Sequence, residues 1–330
     1  MTYQPNLDEI CYPYGIDLDS LTELPWSVAE FLSKHIGSSS LGLNGLKKFS
    51  GTVELLSEME GTLSLAGLIK LSDEEAELLG TFKCSLWLNG LTQLSDNAAE
   101  SLSKHVGELV LGSLTQLSDN AAESLSKHVG ELVLGSLTQL SDNVAESLSK
   151  HEGKLALRGL TKLSDTAAEF LSKHVGELDV SGLTEISDGV AESLSKHKGG
   201  GKEGFILNQL SRLSDSAAES LSKYEGKLHL LGLTKLSDTA AEFLSKHVGE
   251  LDVSGLTEIS DGVAESLSKH KGGGKEGLCL HKLSQLSDSA AESLSKYEGK
   301  INLDGLKELS DNAAESLSKH VGDSLLLNRL

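Results

Sequence analysis

Residues 91–113 read LTQLSDNAAESLSKHVGELVLGS, and residues 114–136 repeat them letter for letter. A stretch copied exactly cannot meet a different set of neighbours at every position, so each copy must solve the same packing problem against a copy of itself. The repetition runs far beyond this pair. Units of the same kind begin at Leu68, Leu91, Leu114, Leu137, Leu160, Leu183, Leu210, Leu233, Leu256, Leu283 and Leu306, with a degenerate one from Leu46. The period is 23 residues, stretched to 27 in the units that start at Leu183 and Leu256. Residues 21–45 fit the frame loosely and the first 20 do not fit it. The expected organisation is therefore an amino-terminal cap with a degenerate first unit over 1–40, then a solenoid of about twelve units over 41–330 with no evident carboxyl-terminal cap.

Within a unit the apolar period changes. Leu109-Val110-Leu111 alternates as a short strand does, whereas Ala98, Ala99, Leu102 and Val106 fall on one side of a helix. Ser95 or Asp96 stands where a helix takes its cap, Glu100 and Lys104 form an i, i+4 pair, and Gly107 follows as a stop. The few leucines of one unit cannot offset the entropy of ordering it, so a single unit is expected to be unfolded and stacking to supply the stability. Aromatic residues are only 4% of the chain, which fits burial spread along it rather than gathered at one centre.

The unit LVLGSLTQLSDNAAESLSKH resembles a leucine-rich repeat, and its form GLTKLSDTAAEFLSKH, Gly159 to His174, is similar to the cysteine-containing subtype found in substrate-adaptor proteins. The resemblance covers roughly Leu41 to the end. It implies an α/β fold: a curved, right-handed leucine-rich-repeat solenoid with a parallel sheet on the concave side and short helices on the convex side. It implies a binding scaffold rather than any one partner. The units depart from the family where Leu114, Leu137 and Leu160 occupy the place that usually holds Asn or Cys, so the customary asparagine ladder is expected to be missing.

The formal charge of −20 opposes nucleic acid and anionic lipid as partners. Cys11, Cys84 and Cys279 form no even framework and the opening residues show no signal peptide, which makes a cytoplasmic location the expectation. No position gathers a nucleophile, a base and an orienting group, so catalysis is not expected and neither a cofactor nor a metal is implied. His105, His128, His151, His174, His197, His247, His270 and His320 recur at one place, with Tyr224 and Tyr297 substituting. Neighbouring helices usually lie about 8 to 10 Å apart, too far for a shared zinc, and the histidines read as amphipathic residues closing each helix. His229, Cys279 and His281 are treated as surface residues because His229 lies two units from the others. The two KHKGGGKEG insertions follow a helix and lead into a strand, the reverse of a phosphate loop, and read as surface loops.

The strand face carries the informative variation. Its middle positions run Ser64, Trp87, Val110, Val133, Ala156, Asp179, Ile206, His229, Asp252, Cys279 and Asn302. Residues 160–230 recur as 233–303, and the copies differ only at 205, 206, 208, 209, 212, 228 and 229. Exposed helix positions such as Glu169 and Lys173 do not differ. The expected function is non-catalytic recognition of a protein partner through the concave face. The candidate positions are Trp87, Val110, Val133, Arg158, Asp179, Ile206, Asn208, His229, Asp252 and His281. Trp87, Val110 and Val133 form an apolar strip, and Glu177 with Asp179 and Glu250 with Asp252 form acidic patches. The alternative is a structural module that associates end to end through the last strand, Leu325 to Leu327.

Overall fold

A computed structural model describes residues 11–12, 15–48, 51–199, 204–272 and 277–328. Its residues group into two compact units, 1–138 with 146–157, and 139–145 with 158–330. The KGGGKEG insertions fall largely on 200–203 and 273–276, so the surface-loop reading, like most of the first 14 residues, lies outside the described residues.

In the first unit, strands β1 (Cys11–Tyr12) and β2 (Gly15–Asp17) pair antiparallel. Strands β3 (Leu41–Gly42), β4 (Thr62–Ser64), β5 (Ser85–Trp87), β6 (Leu109–Val110), β7 (Leu132–Val133) and β8 (Leu155–Ala156) then follow from β2 in parallel, each beside the last. In the second unit, β9 (Leu178–Asp179) precedes two three-stranded parallel sheets. These are β10 (Phe205–Ile206), β11 (Leu228–His229) and β12 (Leu251–Asp252), then β13 (Leu278–Cys279), β14 (Ile301–Asn302) and β15 (Leu325–Leu326). Each of these sheets begins at the end of one of the 27-residue units, which carry four more residues than the others (27 − 23 = 4), and among the described residues β10 and β13 each start a sheet.

From β4 onward the strands are separated by helices of seven or eight residues, such as Asp96–Leu102, Asp119–Leu125 and Asp188–Ser195, whereas the helix before β3, Trp26–His35, has ten. Leu109 and Leu111 at the strand, Leu114 after it, and Ala98, Ala99 and Leu102 on the helix are fully buried, and the same columns are buried in unit after unit. The small alanines let neighbouring helices come close. The helix ends earlier than its apolar period suggests: Ser103 is the cap and Val106, beyond it, is 62% exposed, while His105 turns inward. Gly107 is likewise not the helix stop. It has φ +135° at the entrance to the strand, and the next copy, Gly130, has φ +139°. A Cβ on Gly130 would stand 2.0 Å from the Gly107 carbonyl oxygen, so glycine is required by the close approach of successive chains.

The cap serinespan two units. Ser118 accepts the Ala121 N–H at 3.0 Å, closing its own helix, and donates its hydroxyl to Asp96 of the preceding unit at 2.5 Å. Asn120 reaches the other oxygen of Asp96 at 2.8 Å. The hydroxyl and the amide hold the Asp96 carboxyl below its ordinary value. The same handover joins Ser95 to Asp73, Ser237 to Asp215 and Ser310 to Asp288. It persists across both insertions, where Ser214 donates to Asp188 and Ser287 to Asp261. The helix-side contact is therefore the same in the longer units as in the others. Outside, Glu→Lys pairs such as Glu123–Lys127 at 3.3 Å repeat along the helices, each worth a few tenths of a kcal/mol.

The asparagine ladder expected to be missing is present in part, one place after the strand motif rather than at Leu114. Asn44 Oδ1 accepts from the Ser64 hydroxyl and the Ala66 N–H, and Asn89 Oδ1 accepts the Gly112 N–H at 3.1 Å. Asp304 accepts the Asn328 N–H at 2.8 Å in the same way.

Ser118→Ala is expected to lower stability by about 1 kcal/mol or somewhat more, the usual cost of losing a cap, read as a lower denaturation midpoint in urea. Ser118→Asp retains a cap acceptor but sets a carboxylate against Asp96, and should be at least as unstable. A variant as stable as the parent would show that the handover to Asp96 contributes nothing.

Candidate partner-binding face

Strand alternation buries the two leucines of each LxL motif and turns the middle residue to the opposite face. In the first unit the register sets Ser64, Trp87, Val110, Val133 and Ala156 side by side. Trp87 is 40% exposed, and its indole N–H donates to Glu108 Oε2 at 3.1 Å. Val133 is half-buried. Val110 is only 9% exposed and Ala156 is fully buried, so the expected apolar strip narrows to Trp87 with part of Val133. Beyond the strands, Gly112 and Gly135 present no side chain.

In the second unit Arg158 and His281 are exposed, while Asp179, Ile206, Asn208, His229 and Asp252 are half-buried. The expected acidic patches are not free. Arg158 Nε lies 2.6 Å from Asp179 Oδ2, Lys227 Nζ lies 3.4 Å from Glu250, and His229 Nδ1 lies 3.6 Å from Asp252 Oδ2. Burial alone would raise the Asp179 carboxyl, but the Arg158 guanidinium and the Ser181 hydroxyl and N–H outweigh it and hold it down. Asp252 is likewise lowered against its burial by His229 and Ser254. The His229 imidazole is raised by its bond to Asp252. For Lys227–Glu250 and His229–Asp252 the reason is columnar, since parallel register brings residues 23 apart together, whereas Arg158 reaches diagonally to Asp179, 21 residues on. His281 approaches the Cys279 thiol, with Nδ1 to Sγ at 3.2 Å. Among the described residues no group of three or more His, Cys, Asp or Glu is placed to hold a metal ion.

Seven of the recurring histidines are buried and stack internally rather than closing helices as amphipathic ends, while His320 is half-exposed. His105, His128 and His151 have ring centroids 5.7 and 6.1 Å apart and nearly parallel planes. His174 with His197 and His247 with His270 repeat the arrangement at 6.1 and 6.3 Å. The rings are closer than helix axes because they reach under the sheet, where repeats approach strand spacing, about 4.8 Å. Nε2 of His105 bonds the Cys84 carbonyl at 2.7 Å and that of His128 the Gly107 carbonyl at 2.9 Å, whereas both Nδ1 atoms are buried without a partner. Burial lowers His105, His151, His197, His247 and His270, and pushes the His128 imidazole down to about 4. Tyr224 and Tyr297 occupy the same buried column.

No family model matches the chain, and no curated protein matches it. Among solved structures it is similar to the TLR13–ssRNA13 complex, with a TM-score of 0.53 and 16% identity over 88% of this chain and 47% of that one. It therefore spans about half the length of that structure. An internalin, InlF, of Listeria monocytogenes str. 4b F2365 aligns with a TM-score of 0.42 and 15% identity, over 92% of this chain and 88% of that one. The fold is an α/β leucine-rich-repeat solenoid. The leucine-rich-repeat assignment concerns architecture alone. Among the described residues no helix is long and apolar enough to cross a membrane.

The histidine stack makes stability fall with acid. Above pH about 6.5 these rings are neutral folded or unfolded; below it the unfolded chain takes up protons that the buried rings refuse. Stability is lost as pH falls from the ordinary value of 6.5 through the folded-state values, about 4 for His128. His229 acts in the opposite sense, its contribution present in acid and lost as pH rises through its raised value. Thermal midpoints should drop between pH 7.5 and 5, and His128→Tyr should reduce the drop. An unchanged pH profile in that variant would count against His128 as a contributor.

Proposed function

We propose that this leucine-rich-repeat chain is a non-catalytic recognition scaffold that binds a protein partner through its strand face, in the manner expected of the adaptor-like subtype. The observation that carries the reading is the comparison of the two long copies. Of the seven differing positions, 205 and 228 are buried and exchange one apolar residue for another. Ile206, Asn208, Gln209 and His229 belong to the strand face or its flank and change character, to Cys279, His281, Lys282 and Asn302. The helix face, with its Glu–Lys pairs, is the same in both. The seventh, Arg212, is exposed beyond the strand and becomes Gln285, so four of the seven changes fall on the strand face or its flank where a partner would touch. We assign partner contact to Trp87, Val133, Arg158, Asp179, Ile206, Asn208, His229, Asp252 and His281, with Val110 as support beneath them. Residues 1–40 act as the cap of the stack.

A protein partner is favoured over nucleic acid by the charge of −20. The fold does not decide this, since the TLR13 structure is a complex with ssRNA13. Self-association is a second reading, supported by Leu325 and Leu327, which are half-exposed where their counterparts Ile301 and Leu303 are buried.

Capture from a native lysate should yield a protein that is lost with Trp87→Ala or with the combined swap Ile206→Cys, Asn208→His and His229→Asn, and kept with Glu169→Ala on the helix face. Equal capture by all variants, or retention of single-stranded RNA in place of protein, would overturn the reading. A mass that rises with concentration in light scattering, without a second protein, would favour self-association.

A further inference from the structure

We propose that Trp87 and Glu108 together form a receptor for an arginine side chain of an extended protein segment. This inference rests on the strand-face reading and gives the partner a chemistry. The bond from the indole N–H to Glu108 Oε2 fixes the edge of the ring and leaves its exposed face and the second carboxylate oxygen for another group. Neither has a cation. Among the described residues no Lys, Arg or His nitrogen lies within 4.0 Å of the Glu108 carboxylate, and no cation sits over the Trp87 ring, whereas Glu131 has Lys154 at 3.0 Å and Asp179 has Arg158 at 2.6 Å.

An exposed carboxylate alone binds a cation weakly because water screens it. An indole is the side chain best suited to attract a cation through its ring face. A planar guanidinium can stack on that ring and still direct N–H groups in its own plane at a neighbouring carboxylate, which a compact ammonium does less well. Val133 is half-buried and Gly135 is open: a Cβ there would meet only Gly112 backbone atoms at 3.6 and 3.8 Å. That gives an adjoining floor on which aliphatic residues next to the arginine can lie. The net charge of −20 attracts a basic segment to the molecule at long range.

The test uses the full chain carrying Trp26→Phe, so that Trp87 is the single tryptophan, with its indole N–H followed by NMR. The probe is a valine-arginine-valine tripeptide blocked at both ends, compared with twins holding citrulline or lysine in place of arginine. The arginine peptide is expected to shift the Trp87 resonance, the citrulline twin to bind at least about tenfold more weakly, and Glu108→Gln to cost a similar factor. Circular dichroism on Glu108→Gln confirms that it is folded. No shift with arginine, equal binding of any twin, or an unaffected Glu108→Gln would each overturn the proposal. Lysate capture separates the two readings. Capture lost with Trp87→Ala but kept with Glu108→Gln leaves the strand face standing and removes the arginine. Peptide binding with capture unaffected by either change does the reverse.

Discussion

Neighbouring repeats meet at strand spacing, about 4.8 Å, and most of the conserved chemistry of the unit is what that spacing permits. The Leu109 N–H reaches the Glu131 carbonyl and the Leu111 N–H the Val133 carbonyl, each at 2.8 to 2.9 Å. With the chains locked so close, a side chain at the strand entrance would collide with the carbonyl of the preceding repeat, and Gly130 and Gly153 stand there. One layer further out the spacing relaxes enough for flat rings to stack at 5.7 to 6.3 Å, and histidine or tyrosine fills it. Further still, helices whose inner faces are alanine can pack. Residue size is set by distance from the sheet.

The same spacing turns local caps into bonds between repeats. A serine that only capped its own helix would leave its hydroxyl proton to water. Here that proton goes to the aspartate one unit back, and the aspartate, at the first turn of a helix, also suits the positive end of the helix dipole. The serine is thus satisfied as acceptor and donor at once. This chain of bonds continues through both 27-residue units, so the helix side keeps the same contact whatever the length of the unit.

The period, the strand and helix of each unit, the buried leucine and alanine columns and the serine cap were all legible in the sequence, since each depends on residues within one unit. What was hidden depends on two units at once. The second bond of Ser118 and the stacking of His128 need the distance between copies, which periodicity does not contain. Val106 was misplaced because the helix pattern was extended past Leu102, where the chain already turns inward. The acidic patches could have been corrected from the letters alone. Aligning units in columns sets Lys227 beside Glu250 and His229 beside Asp252, and parallel register makes columns into contacts. The asparagine bonds of Asn44 and Asn89 stand two places before the leucine that the family pattern marks, and they too reach into the next unit.

Columns also limit how far exact copying can go. Two identical apolar units stack without penalty, but identical charges placed next to one another repel. The doubled stretch sets Glu108 beside Glu131 in one column, and the array answers with Lys154 on the far side of Glu131. In the second unit the corresponding column alternates, Lys227 against Glu250. Glu108 has an indole N–H on its other side instead of a cation. A neutral donor steadies the carboxylate without cancelling its charge. The first unit therefore keeps, beside its exposed tryptophan, a negative charge that its own repeats do not balance. It arises where the copying of the unit is most exact.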